Sequence, residues 1–199
     1  MALPAPDSGC VRPPVGGRWT ASDLDCFPED GLRYEVLDGQ LVVTPAPALR
    51  HQIVLQWLMF ALIHAVPEGS WVLPGVGILI GDDEPIPDLI VGVGERAPDA
   101  RGIAVEQIIL AVEVVSPCTT LQDTLVKPVV YAQAGIPNYW RIEAHSFKGR
   151  LPDEAVPVLF AHVLGRNGEY EATHRISAGE CATLHSPFEF TIDPATLLR

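Results

Sequence analysis

The sequence predicts a mixed α/β fold, and three stretches carry that prediction. IILAVEVV, residues 108–115, holds seven apolar residues in eight, the composition of a strand buried on both faces at the centre of a sheet. A helical stretch follows it and leads into a second strand, IPNYWRIE, so a right-handed crossover between parallel strands is expected. Ahead of both, RYEVLDGQLVV alternates apolar and polar residues around Asp38-Gly39, the strongest short hairpin signal.

Taken in order, residues 1–18 are rich in Pro and Gly and read as a tail, and residues 19–199 as one domain. WTASDLDCFPEDG forms a short helix with Thr20 or Ser22 as N-cap and Pro28 as terminator. Hairpin strands fall at 33–37 and 40–44. A helix runs from about 48 to 66, stopped by Pro67 and Gly69. WVLPGVGILIG is extended, and PDLIVGV is a strand after the polar turn GDDEPI. The next helix runs from Thr119 or Thr120 to Ala134, with Gly135 as its C-terminal signal. From 156 onward come a strand, an RNG turn and a strand, and CATLHSPFEFTI adds more β structure. The expected architecture is a central mixed sheet flanked by helices, with additional β-hairpins at both ends.

Composition narrows the function. The longest apolar run, residues 54–66, is too short to span a bilayer and contains Gln56 and His64. The first residues lack a secretory h-region, so a cytoplasmic protein without membrane attachment is expected. Cys10, Cys26, Cys118 and Cys181 form no CxxC pair and are expected as free thiols. The six histidines are equally scattered, which argues against a histidine metal site. A net charge of −12 disfavours strong nonspecific DNA binding, yet an acidic site can load a divalent cation that then faces phosphate.

Glu113 interrupts the apolar run, where a carboxylate is costly unless a cation compensates it. Two more acids sit on or beside apolar strands: Glu35 in the first hairpin and Asp88 at the head of PDLIVGV. Carboxylates at strand ends with a lysine nearby suit phosphodiester hydrolysis: they hold Mg²⁺ through oxygen, and the ammonium orients water or stabilises developing charge. Glu113 and residue 115 face the same side of the strand, so an ExK nuclease would carry its lysine at 115. Valine stands there, and Lys127 is the nearest replacement. Asp123, Lys127 and Tyr131 share one helix face, a spacing that on an isolated helix favours a surface Asp-Lys pair beside a partly packed tyrosine.

PDLIVGV and AVEVVSPCTTLQDTLVKPVVYAQAGIPNYWRIE, preceded by DGLRYEVLDGQLVVTPAPALRHQ, resemble the Uma-type restriction-endonuclease family, a branch of the PD-(D/E)XK nuclease superfamily. The resemblance is close over residues 19–143 and looser beyond. It implies a restriction-endonuclease-like core with Asp88, Glu113 and the backbone carbonyl of Val114 as metal ligands, and Lys127 as a migrated catalytic lysine. Glu35 would lie at the edge of the site, on a second metal or its water, and His51 and Tyr131 would contact phosphate or support the site. Mg²⁺, with Mn²⁺ as a substitute, is the implied cofactor. Two departures stand out: Pro128 directly follows Lys127, which puts the lysine at a kink or a helix start, and Gln40 replaces an acidic residue after Asp38-Gly39.

The expected function is Mg²⁺-dependent hydrolysis of DNA phosphodiesters, with a homodimer able to cut both strands. A catalytically silent nuclease-like protein serving as an interaction module is the alternative, in which Glu113 and Lys127 form a structural pair. A hydrolase of nucleotides or other small phosphate esters would use the same ligands in a narrower pocket.

Overall fold

The computed structural model describes residues 14, 16–117 and 120–199. Cys10, Cys118, Thr119 and nearly all of the Pro/Gly-rich segment lie outside them. Cys26 and Cys181 are exposed free thiols.

Six strands form one mixed sheet, in which the two central neighbours are parallel and every other pair is antiparallel. Local chemistry sets each element in turn. A 3-10 helix, Ala21–Cys26, opens on Thr20, whose backbone N–H and hydroxyl both donate to the Asp23 carboxylate. Strands β1 (Arg33–Leu37) and β2 (Gln40–Thr44) then form the expected hairpin. Asp38 and Gly39 take φ of 49° and 69°, which matches the twist of two strands joined by two residues. The backbone N–H groups of this turn donate to the Asp83 carboxylate at 2.8 and 2.9 Å, docking the hairpin on the loop that leads to Asp88.

Helix α1 (Leu49–Ala65) ends before Pro67 and turns Val54, Leu58 and Leu62 inward. The extended stretch after it divides into β3 (Ser70–Pro74) and β4 (Ile78–Leu79), because Gly75 adopts φ 58° between them. Strand β5 (Leu89–Val93) pairs antiparallel with β3 and β7, and β6 (Ile103–Ala104) pairs with β4.

Strand β7 (Ile108–Val115) is the central strand and is almost wholly buried. Alternation along it divides the core. Leu110, Val112 and Val114 join α1 and the C-terminal aromatics, whereas Ala111 packs with Tyr131, Ile136 and Tyr139 on the opposite face. Each of these side chains contributes roughly 1.5–3 kcal/mol if large and fully buried.

The helical connection after β7 departs from the uniform helix that the sequence suggests. Residues Gln122–Val126 form a π-helix, and regular helix α2 spans only Lys127–Gln133. Pro128 supplies the physical reason: it has no N–H to donate and its ring crowds the preceding turn, so the backbone widens before it. The Lys127 N–H accordingly bonds back to the Gln122 carbonyl, five residues earlier.

Strand β8 (Asn138–Glu143) returns parallel to β7, then β9 (Val158–Leu164) and β10 (Tyr170–Ser177) extend the sheet antiparallel. A second hairpin, β11 (Ala182–Leu184) with β12 (Phe190–Ile192), covers the α1 face, where Phe190 stacks on Trp140 at 5.4 Å. A 3-10 turn, Pro194–Leu198, follows. Among the described residues no helix is long and apolar enough to cross a membrane.

Candidate functional site

Glu113 lies on the face of β7 that looks toward α2, and it is 1% exposed. Two side chains one helical turn apart descend on it. Lys127 Nζ is 3.0 Å from Glu113 Oε1, and the Tyr131 hydroxyl donates to the same oxygen at 2.7 Å. The π-turn therefore starts α2 at the position from which both reach the strand. Asp123, one turn earlier, is 3.8 Å from Lys127 Nζ. The trio Asp123, Lys127 and Tyr131 is buried, which corrects the surface ion-pair alternative. A helix face alone does not say whether it meets water or a sheet; here it meets the sheet.

The first hairpin brings the third carboxylate. Glu35 Oε1 lies 3.2 Å from Lys127 Nζ and accepts the Ile86 N–H at 2.5 Å. Ile86 also turns its carbonyl to Lys127 Nζ at 3.3 Å, so one residue of the 84–88 loop ties glutamate and lysine together. Backbone bonds between Val36 and Glu84 fix that loop against β1.

Asp88 arrives from the other side. The β5–β7 ladder pairs Leu89 with Val112, so one further step sets Asp88 level with Glu113. Its Oδ2 accepts the Val114 N–H at 2.8 Å and lies 3.0 Å from His51 Nε2, while Oδ1 accepts from Arg33 at 3.3 Å. His51 stands in the first turn of α1 and is buried, which fixes the start of that helix to the end of the sheet.

Glu35, Asp88, Glu113, Asp123 and Lys127 line a partly open cavity of about 320 Å³. Four carboxylates, Glu35, Asp88, Glu113 and Asp123, share it with Lys127, Arg33, His51 and His145. Their ionisation follows from that imbalance. Burial raises the Glu113 carboxyl well above its ordinary range; Lys127 opposes this, but Asp123, Asp88 and Glu35 add to it. Burial would lower Lys127, yet Glu113, Glu35, Asp123 and Asp88 together raise it, so the ammonium stays charged. Burial also works against the Asp88 anion, but the His51 hydrogen bond and charge, Lys127 and the Val114 N–H hold it below the ordinary carboxylate range. Tyr131 is raised far above a free phenol by burial and by Glu113, and remains a donor. One ammonium cannot hold three buried carboxylates ionised.

All seven residues singled out in the sequence thus gather around this cavity or its wall: Glu35, His51, Asp88, Glu113, the Val114 backbone, Lys127 and Tyr131. Arg33 was not among them. It shares a face of β1 with Glu35, two residues on, and that alternation was its available signal. Ser116, Gln122 and His145 also line the cavity, without a sequence pattern that distinguishes them. Among the described residues, no three His, Cys, Asp or Glu side chains converge as a preformed metal cage.

Comparison with known proteins agrees with the fold. The Uma2 family profile, described as "Putative restriction endonuclease", matches residues 21–194. No curated protein matches the chain. Among solved structures, the chain is similar to the crystal structure of a "putative nuclease belonging to DUF820" from Anabaena variabilis. The two are 17% identical with a TM-score of 0.65, over 90% of this chain and 97% of that one.

Proposed function

Because the chain belongs to the Uma2 family of restriction-endonuclease-like proteins, we propose that it hydrolyses DNA phosphodiester bonds with the help of Mg²⁺, for which Mn²⁺ can substitute. One observation carries this reading: a glutamate buried in the central apolar strand shares a cavity with a second strand-end carboxylate and a buried lysine. Such a concentration of desolvated charge is costly to folding and is characteristic of functional sites.

The donor set suits Mg²⁺, which takes oxygen ligands, keeps several waters and needs only one or two carboxylates, so a full protein cage is not required. Asp88 and Glu113 would hold the ion. The Val114 carbonyl would be the third ligand, since a residue in an extended strand turns its N–H and C=O to the same side, and the Val114 N–H already points to Asp88. The excess of carboxylates over cations in the cavity favours a divalent ion there. When bound, Mg²⁺ supplies Lewis acidity toward phosphate and water.

The chain's own groups complete the chemistry. Lys127, held protonated, places positive charge between Glu113 and Glu35, where it would stabilise charge developing on the phosphoryl oxygens. Glu35, at the edge of the site, would accept a hydrogen bond from the attacking water. Tyr131 fixes Glu113, and His51 with the Val114 N–H fixes Asp88, so both carboxylates are oriented before substrate arrives. Arg33, with its side chain 30% exposed, stands at the mouth to receive phosphate. The same reading has the protein acting in the cytoplasm as a homodimer with one cavity per copy.

Cleavage of supercoiled plasmid and single-stranded DNA, with Mg²⁺ or Mn²⁺, tests the proposal. Wild type should cut, and Asp88→Ala and Glu113→Ala should not, while circular dichroism remains native. A silent interaction module is favoured by one feature, the saturation of Lys127 by Glu113, Glu35 and the Ile86 carbonyl. Absence of cleavage together with absence of calorimetric Mg²⁺ binding would decide for it.

A further inference from the structure

A second depression, about 470 Å³ and open to solvent, adjoins the carboxylate cavity. The two share Arg33 and the Pro45–Pro47 segment as a common wall. Its lining differs in kind from the first. Phe27 and Tyr34 supply aromatic rings 4.5 Å apart between centroids, with Leu24 and the exposed Leu32 beside them. The Trp19 ring contacts Phe27 at 5.6 Å between centroids, and the Tyr34 hydroxyl is anchored on Asp30 at 2.8 Å, so the aromatic pair is held in place. Arg101 also lines this depression, but it is committed to Glu84, Asp25 and the Ala21 carbonyl. Among the described residues Arg33 makes one side-chain hydrogen bond, from Nη1 to Asp88 at 3.3 Å, so its other N–H groups can serve a phosphate at the junction.

Charge decides what fits there. Duplex recognition rests on many phosphate contacts, and this chain has 13 Lys and Arg against 25 Asp and Glu. Affinity for nucleic acid must then come largely from contacts that are not ionic. Base stacking on aromatic side chains is such a contact, and it tolerates any sequence because every base has a π-face. Bases inside a duplex already stack on each other and cannot lie on Phe27 or Tyr34 without being extruded.

We propose that the Phe27–Tyr34 depression is a nucleobase subsite, which takes an unpaired base flanking the phosphodiester held at Arg33 and the carboxylate cavity. The substrate class is therefore single-stranded DNA or an unpaired end. This rests on the phosphodiesterase reading above but is tested without turnover.

The experiment is equilibrium fluorescence anisotropy on a short labelled oligothymidylate, the same strand annealed to its complement, and the same backbone carrying abasic residues, each with Ca²⁺ and with EDTA. The single strand should bind about tenfold or more tighter than both the duplex and the abasic backbone. Tyr34→Ala and Phe27→Ala should each remove most of that difference while leaving abasic binding unchanged. Equal binding of the abasic backbone, or duplex binding as tight as single-strand binding, would overturn the proposal, and neither outcome depends on how the variants fold. Base-dependent binding by a protein that never cleaves would sink the hydrolysis reading alone. Cleavage without base-dependent binding would sink the subsite alone.

Discussion

Lys127 Nζ sits 3.0 Å from Glu113 Oε1 at a site where the lysine side chain is 4% exposed and the glutamate side chain 1%. The pair joins the start of α2 to the central strand, and Glu35 at 3.2 Å joins it to the first hairpin. Removing the ammonium leaves three carboxylates without their shared cation. Lys127→Met should cost about 3–5 kcal/mol of stability at pH 7. It should lower cleavage by roughly 10²–10³-fold. The cost should shrink as pH falls, because the carboxylates that have lost the ammonium then take up protons. Urea unfolding at pH 7 and pH 5 measures this; an equal cost at both would contradict the electrostatic account.

On the proposed reading, Glu113 would link Mg²⁺ affinity to pH. Its carboxyl is raised well above 4.5 in the folded protein by burial. The folded state therefore keeps this proton to higher pH than the unfolded chain, and stability falls as pH climbs from 4.5 through the raised value. An Mg²⁺ ion bound to Glu113 must displace that proton. Calorimetry in two buffers of different ionisation enthalpy should show proton release on binding and tighter binding at higher pH. Glu113→Gln should abolish the release.

Asp88 behaves in the opposite sense. Its folded pKa is held below 3.8, with His51 as the main stabilising partner against the burial that raises it. The stability it contributes is complete above 3.8 and is lost as pH falls through the depressed folded value. His51→Ala should cost about 1.5–3 kcal/mol at neutral pH, as expected for a hydrogen bond to a buried charge. It should also move the acid-unfolding midpoint, followed by circular dichroism, to higher pH. An unchanged midpoint would separate His51 from the ionisation of Asp88.

Arg33 should act mainly on substrate binding. Arg33→Ala is expected to raise KM for a single-stranded oligonucleotide about tenfold. The slope of log affinity against log salt should become shallower by about 0.7, the share of one phosphate contact on a single strand. Steady-state kinetics and a salt series check both. A fall in kcat with KM and the salt slope unchanged would assign Arg33 to holding Asp88 instead.

Much of the site was legible because its signals are local. Asp38-Gly39 between alternating residues determines the hairpin, since only certain residues tolerate two successive positive φ values. Glu113 stands out because a carboxylate inside an apolar strand costs free energy that something must offset. The position of Lys127 was less clear. Its helical spacing from Asp123 and Tyr131 is the same for a surface pair and a buried one, and Pro128 could have turned its ammonium away. The π-turn resolves the difficulty by absorbing the proline before α2 begins. Arg33 was missed because it precedes Glu35 in an ordinary alternating strand, and its meeting with Asp88 spans 55 residues of chain.

The sequence by itself determined the mixed α/β class, the two terminal hairpins, the central buried strand and the three acids worth watching. Those depend on turn chemistry, periodicity and the cost of burying charge, all of which act within a few residues. Only the tertiary structure decided that Glu35, Asp88, Glu113 and Lys127 share one cavity, and that an aromatic depression adjoins it through Arg33. Such proximity is set by strand order and helix docking, and residues far apart along the chain carry no local trace of where they will meet.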